Sequence, residues 1–362
     1  MSKKAIQEKI AIIAPANLKY VPYVDNYIRL LKDEGVCFHV LSWDKRGLQE
    51  SEADFVYHFC VSDSNRKKML LGHGLFARKC RGYIRRNKIT KLIILTAALA
   101  FFLGTGFLKK FSGRFILDIR DDTPLVKRFP GTFRKICDMA SRVIASSPKF
   151  NEWIPTETQL CHNADTAAIA QRMDIAPKDR CGSPISIVFA GMLNESRINL
   201  EMLQHIGKDP RFQFRFIGRV NEGKEKLRTY AEAQGLDNVA FQGTYNKDEI
   251  YGIYASQADL VNIIREKCKV NRNALPNKLY DAVLAGVPVV VFDHNEAVAD
   301  YVRQYSLGLV LEENMQTLGD TLAQRTAEFD YAAYARGRKA FLQKVMDDME
   351  AFRQTVSGFA QA

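Results

Sequence analysis

The stretch ALPNKLYDAVLAGVPVVVFD, residues 274–293, carries the key to the fold. A segment of helical period over 277–285 leads at once into the short apolar run VPVVVF, the alternation of a parallel sheet covered by helices on both faces. The pattern extends both ways. Upstream lie ISIVFAG, FQFRFIG, NVAFQG and ADLVNII with helical segments at 196–207, 222–234 and 247–256, and downstream a helix over 295–304 precedes LGLVL. The N-terminal half repeats it: KIAIIAPAN, a helix from Tyr23 to Glu34 ended by Gly35, then CFHVLSW. Further strands are expected at Lys91–Thr96, Arg114–Ile119 and Arg142–Ala145, with helices at about 66–88 and 131–140. Between them, Asp165 to Ser186 fades into DIAPKDRCGSPIS, a linker composition. The expectation is therefore α/β, two doubly wound domains at 1–165 and 186–330 joined by a linker at 166–185. The helical stretch 331–362 either braces the first domain or stands free. A chain of 362 residues suits two domains, and such sheets bind ligands in the crevice outside the carboxyl ends of their strands.

With 47% hydrophobic and 26% charged residues, 11 Pro and 22 Gly, disordered and fibrous classes are excluded. The net charge of +11 is unevenly placed: residues 1–180 carry 31 basic and 18 acidic side chains, residues 181–362 carry 21 and 23. From Ser64 to Leu117 there are 13 Lys and Arg and no acid, interleaved with Met69, Leu70, Leu71, Leu75 and Phe76. Solvated helix faces carry such charge; so do membrane-surface helices and nucleic-acid binders, and no nucleic-acid motif is found. The seven cysteines are scattered without a Cys-x-x-Cys pair, which fits a reduced, cytoplasmic chain, and MSKKAIQEKIAIIAPAN lacks the apolar core of a secretory signal. The uncharged stretch Leu92–Leu108 reads as a buried strand followed by a helix or loop rather than a membrane span.

In the segment quoted first, Pro276 forces the preceding residue to be extended, Asn277 can cap the helix, and Lys278 brings a cation to a helix start that already favours phosphate. Asp281, one turn on, shares their face and can accept hydrogen bonds from both hydroxyls of a ribose. A capped helix with a solvated Lys and a dipole-complementing Asp fits the same residues. DIRDD, residues 118–122, sets Asp118, Arg120, Asp121 and Asp122 at a strand end. They form either a salt-bridged cap or a site in which Asp121 orients or deprotonates a hydroxyl. His162 and Asn163 in CHNAD read as hinge residues, and His73 in GHG as a solvated helix-end residue or a substrate contact.

The order of FAGML, FRFIG, NVAFQGTYNKDEIYGIYASQADLVNI and LPNKLYDAVLAGVPVVV resembles the donor domain of glycosyltransferase family 4. RFILDIRDDTP, ASRVIASSPKF and LCHNAD extend the resemblance into the first domain, so that it covers roughly residues 9–310. It is similar to bacterial members that build capsule, O-antigen and other surface polysaccharides. The resemblance implies the GT-B fold, two Rossmann-like domains facing a central cleft, with acceptor binding in the first and a nucleotide-sugar donor in the second. It implies glycosyl transfer with retention of a hexosyl or N-acetylhexosaminyl unit without a divalent metal, and the sequence has no Asp-x-Asp pair or His cluster for one. UDP is the family's commonest donor nucleotide. Asp281 takes the place of the ribose-binding acid, usually Glu. The family's second acid falls on Asn273, with Glu266 the nearest upstream acid. Arg197 stands where relatives have a phosphate-binding Lys, and Met192 replaces an expected Arg. Arg197 and Lys278 are then the cations that stabilise the leaving diphosphate, with Asp121 as the acceptor base. Gly191, Gly218, Arg219, Thr244, Tyr245, Asn277 and Leu279 complete the implied donor site, and Tyr245 fits a core role equally. The basic region 64–117 would hold the protein on the anionic inner face of the plasma membrane, near a lipid-linked glycan acceptor.

Rival readings are few. A dinucleotide-binding oxidoreductase needs a glycine fingerprint, and Gly72/Gly74 and Gly104/Gly106 lack the third Gly; no P-loop occurs. A nucleotide-sugar epimerase of the same architecture, or a catalytically weak homologue acting as a partner subunit, remains open.

Overall fold

The computed structural model describes residues 8–48, 52–62, 65–179, 181–193, 196–219 and 221–362. Residues 1–7, Ser64 at the head of the basic stretch, and Arg180 in the expected linker lie outside them. The chain divides into two compact units, Met1–His162 with Asp348–Ala362, and Asn163–Asp347.

The first unit holds a seven-stranded sheet of β1 (Lys9–Ala14), β2 (Cys37–Asp44), β3 (Phe55–His58), β4 (Lys91–Leu95), β5 (Phe115–Ile119), β6 (Arg142–Ala145) and β7 (Gln159–Leu160). Their order is β3-β2-β1-β4-β5-β6-β7. The second unit holds β8 (Ile185–Ala190), β9 (Phe212–Ile217), β10 (Val239–Gln242), β11 (Leu260–Asn262), β12 (Val289–Phe292) and β13 (Gly308–Leu311), ordered β10-β9-β8-β11-β12-β13. Every recorded strand pair is parallel. The continuous apolar runs explain this: β4 and β12 are buried at every position, as strands covered on both faces must be. Helices from each crossover close the cores, one around Trp43, Phe76, Leu92 and Phe115, the other around Phe189, Phe212, Leu227 and Phe292.

All expected strands are present, and the Asn277–Ala285 helix has the expected limits. Two short strands were not expected, β3 and β7; both are edge strands. Leu92–Leu108 is β4 followed by helices Ala97–Leu103 and Thr105–Leu108, and among the described residues no helix is long and apolar enough to cross a membrane. All seven cysteines are free.

The expected domain limits differ from the compact units. The segment 166–185 belongs with the second unit and begins with a helix, Thr166–Arg172, whose cap is Asp165, accepting from the backbone N–H of Ala167 and Ala168. Lys178 then fastens it through Ala258 O (2.9 Å) and Asp259 (2.6 Å). The C-terminal helix, Tyr331–Gln361, is divided: its part up to Asp347 belongs to the second unit, and the rest to the first. There Phe352 meets Tyr27 edge-on at 5.2 Å and Ser357 donates to Glu34 at 2.6 Å.

In the second unit one cation holds several chain ends. Arg338, 2% exposed, donates to Val283 O (2.7 Å), Met173 O and Ile175 O (3.0 Å each) and Arg172 O (2.7 Å). The former linker and the Asn277–Ala285 helix thus share a fastener. Arg338→Met removes these four hydrogen bonds, leaving Val283 O and Arg172 O only the backbone N–H groups of Gly286 and Ile175, and is expected to cost about 3 kcal/mol, read as a lower urea midpoint. An unchanged midpoint would show that the fastener carries no stability.

Candidate functional site

In the second sheet the chain order reverses at β8, which has β9 on one side and β11 on the other. Ligands of open parallel sheets bind outside the carboxyl ends of the strands at such a point. Just past β8, Gly191 has φ +118°, and just past β9, Gly218 has φ +140°. Both values favour glycine. A Cβ on Gly218 would run into the carbonyl of Gly191, and one on Gly191 would lie 3.6 Å from Lys278 Cε and 3.9 Å from Tyr245 Oη. Lys278 and Tyr245 therefore meet over bare backbone, with Lys278 Nζ 4.2 Å from the centroid of the Phe189 ring. From below, buried Lys224 donates to Gly218 O (2.8 Å) and to Gln242 O, tying the ends of β9 and β10 together.

The helix that delivers Lys278 starts differently from expectation. Asn277 is its first residue and is exposed; the cap position is occupied by Pro276, and no side chain caps the end. Pro276, with φ −76°, takes the extended cap conformation itself. The positive end of the helix is left for an anion.

Asp281, one turn further, is half-buried. Burial raises its carboxyl to about 6, against the opposing pull of Lys247 and Lys278. Burial and the charge of Asp281 together push up the phenols of Tyr245, Tyr251 and Tyr254. Tyr254 is fully buried, and Tyr251 lies under the Arg172 guanidinium at 4.5 Å. Asp281 is thus set among three phenols and two ammonium groups. Lys247, Tyr251 and Tyr254 were not singled out from the sequence, although IYGIY at 250–254 repeats Tyr at helical spacing.

The other expected residues are spread around this cradle. Arg197 is exposed and paired with Glu201 (3.0 Å) and Glu266 (3.6 Å). Arg219 and Thr244 are exposed, following β9 and β10. Leu279 is fully buried, with its N–H donating to Pro276 O at 3.0 Å. Asn273 ends the short helix Lys269–Asn273, 3% exposed, its Oδ1 without a partner among the described residues.

In the first unit the end of β5 carries a buried network. Asp118 receives Tyr27 Oη (2.7 Å) and Arg120 Nε (2.7 Å), and Arg120 continues to Cys161 O (2.9 Å) and lies 4.4 Å from the Tyr23 ring. These groups are structural, whereas Asp121 next to them is exposed. Asp122 lies 3.7 Å from Lys127. His162 is buried against Asp348 at 3.0 Å, at the last residue before the second unit begins at Asn163. His73 needs a correction. It is neither solvated nor at a helix end: it sits within the Arg66–Arg86 helix, stacked on Phe102 at 5.0 Å and edge-on to Trp43 at 4.9 Å. Burial and nearby Lys45 lower it to about 4, so it is neutral at pH 7.

Residues 184–327, most of the second unit, match the family described as Glycosyl transferases group 1. No curated protein matches the sequence. Solved glycosyltransferases share the whole fold, which is GT-B. Sucrose-phosphate synthase from Thermosynechococcus elongatus is 14% identical with a TM-score of 0.67, over 96% of this chain and 98% of that one. The lipopolysaccharide outer core galactosyltransferase WaaB, in its apo form, is 12% identical at 0.66, over 96% and 99%. Anabaena Alr3699/HepE in complex with UDP is 14% identical at 0.67, over 97% and 100%.

The cradle around Asp281 has a measurable cost. Between about pH 4 and 6 the folded chain keeps a proton on Asp281 that the unfolded chain has released, so stability falls as pH rises through that window. The expected drop is on the order of 2 kcal/mol. Asp281→Asn should flatten this part of the pH–stability curve and raise the urea midpoint at pH 7.5; superimposable curves for both proteins would contradict it.

Proposed function

We propose that the protein is a retaining glycosyltransferase that moves a hexosyl or N-acetylhexosaminyl unit from a nucleotide sugar, UDP-linked in the first instance. The acceptor is a lipid-linked or growing surface polysaccharide of the capsule, O-antigen or exopolysaccharide type. One observation carries the donor half of this reading: Lys278, an uncapped helix start and the bare backbone of Gly191 and Gly218 converge one turn from the half-buried Asp281, inside a glycosyltransferase domain. In this reading the diphosphate binds at the helix start and Lys278, the ribose hydroxyls at the Asp281 carboxylate, and the nucleotide beside Tyr245. As the glycosidic bond breaks, negative charge grows on the diphosphate, and Lys278 with Arg197 stabilises it without a metal ion. Asp121 takes the acceptor proton. Anabaena HepE, of the same fold, was solved with UDP and with UDP and glucose, which favours the uridine nucleotide.

Melting temperatures measured with UDP, GDP, CMP and dTDP sugars should rise by several degrees for one of them. Asp281→Ala and Lys278→Ala should each remove the shift, and affinity should decline below pH 6 as Asp281 takes up its proton. No shift with any donor would overturn the reading. A shift accompanied by interconversion of the sugar without an acceptor would indicate an epimerase; a shift without turnover on any lipid-linked acceptor would indicate a partner subunit.

The Arg66–Arg86 helix supports a membrane-surface location at the cytoplasmic face. Its core face is Phe76, Ala77, Cys80 and Ile84, while Leu70 and Leu71 are 58% and 57% exposed among Lys67, Lys68, Arg78 and Lys79. Neutralising Arg78, Lys79, Arg85 and Arg86 together should reduce co-sedimentation with anionic vesicles at least tenfold at low salt. Unchanged sedimentation would refute the attachment.

A further inference from the structure

The basic residues of the first unit include a set that the donor and acceptor roles leave unused. Lys91 opens β4, Arg114 immediately precedes β5 and Arg142 opens β6, so all three stand at the amino edge of the sheet. That is the edge opposite the strand ends that carry Asp118 to Asp121. They line a cavity of about 600 Å³, together with Gln159, Gln354 and a single acidic side chain, Glu8. The size is that of a small-molecule site.

The charges in this cavity are poorly matched. Lys91 is 4% exposed, at the head of a strand otherwise made of Leu and Ile, where a leucine would pack more cheaply. Its ammonium donates to Ala360 O at 3.2 Å, and Glu8 is 4.0 Å away. The guanidinium of Arg114 is directed at carbonyls, Lys110 O at 2.7 Å and Thr90 O at 3.4 Å, and that of Arg142 at Ser141 O at 2.8 Å. Among the described residues neither has a carboxylate within ion-pair distance. Carbonyls orient a guanidinium but leave its charge uncompensated, and three cations around one cavity raise its potential.

We propose that this cavity binds a small phosphorylated anion, a phosphomonoester or diphosphate, at a site carried by the first unit and independent of the donor cradle in the second. Two arginines offer the forked donors that phosphate oxygens match, the buried ammonium supplies a fixed charge, and Gln159 and Gln354 can bond neutral parts of the ligand. The anion could come from a free metabolite or from a phospholipid headgroup, both offering the same phosphate chemistry.

The test is isothermal titration of inorganic pyrophosphate into the full chain at 0.15 M ionic strength, for the wild type, Arg114→Gln/Arg142→Gln and Lys278→Ala. Both arginines are exposed, so matched melting curves without ligand will show that the double variant is folded. Wild type and Lys278→Ala should bind, and Arg114→Gln/Arg142→Gln placed in the Lys278→Ala background, where the donor cradle has lost its cation, should bind at least tenfold more weakly than Lys278→Ala. Co-sedimentation with phosphatidylglycerol vesicles assigns the source: loss in the double variant supports a headgroup, and retention with weakened pyrophosphate binding supports a free anion. Equal binding by Lys278→Ala with and without the two arginine substitutions, loss of binding in Lys278→Ala alone, or no binding by the wild type would each overturn the proposal.

Discussion

The second unit is organised around a contact that leaves no room for a side chain. Gly218 lies directly against the carbonyl of Gly191, both in left-handed backbone, so β8 and β9 end with their main chains touching. Lys224 holds this contact from beneath. Above it the space that two side chains would have filled is open to Lys278 and Tyr245, and to any ligand that needs to approach backbone. Asp281 belongs to the same arrangement. Its half-burial disfavours its own charge, and in the proposed complex the ribose hydroxyls would replace the lost water.

The positive charge of the first unit is also ordered by topology. In a parallel α/β sheet the helices run back to the amino edge, so the last turn of the Arg66–Arg86 helix and the residues preceding β4 and β5 converge there. Arg85, Arg86, Lys88, Lys91, Lys109, Lys110 and Arg114 all fall in those positions. Arg66, Lys67 and Lys68 open the helix at the other end. The basic stretch is therefore divided: some of it is consumed by the fold, as when Arg81 donates to Phe102 O and Leu103 O, and much of the remainder faces away from the strand ends where sugar chemistry is expected.

What could be read from the sequence follows from how local each signal is. Runs such as KLIIL and VPVVVF have only one stable environment, a strand covered on both faces, and their order specified both sheets. The edge strands β3 and β7 escaped because four and two residues carry too little periodicity. DIAPKDRCGSPIS looked like a linker by composition, but Arg338 and Lys178, distant in sequence or dependent on distant partners, fasten it. At the site, the proximity of Lys278 and Asp281 was legible because two residues three positions apart on one helix share a face. Tyr251, Tyr254 and Lys247 act on Asp281 through tertiary packing alone, and the packing of His73 against Phe102 and Trp43 depends on three separate elements.

The central claim is that one nucleotide sugar engages the ends of β8 and β9 and the start of the Asn277–Ala285 helix together. Hydrogen–deuterium exchange with and without the donor nucleotide tests it most directly. Simultaneous protection of amides at 191–193, 218–219 and 277–281, lost in Asp281→Ala, is the predicted result. Nucleotide-induced protection confined to other segments, or protection at these three that survives the substitution, would contradict it.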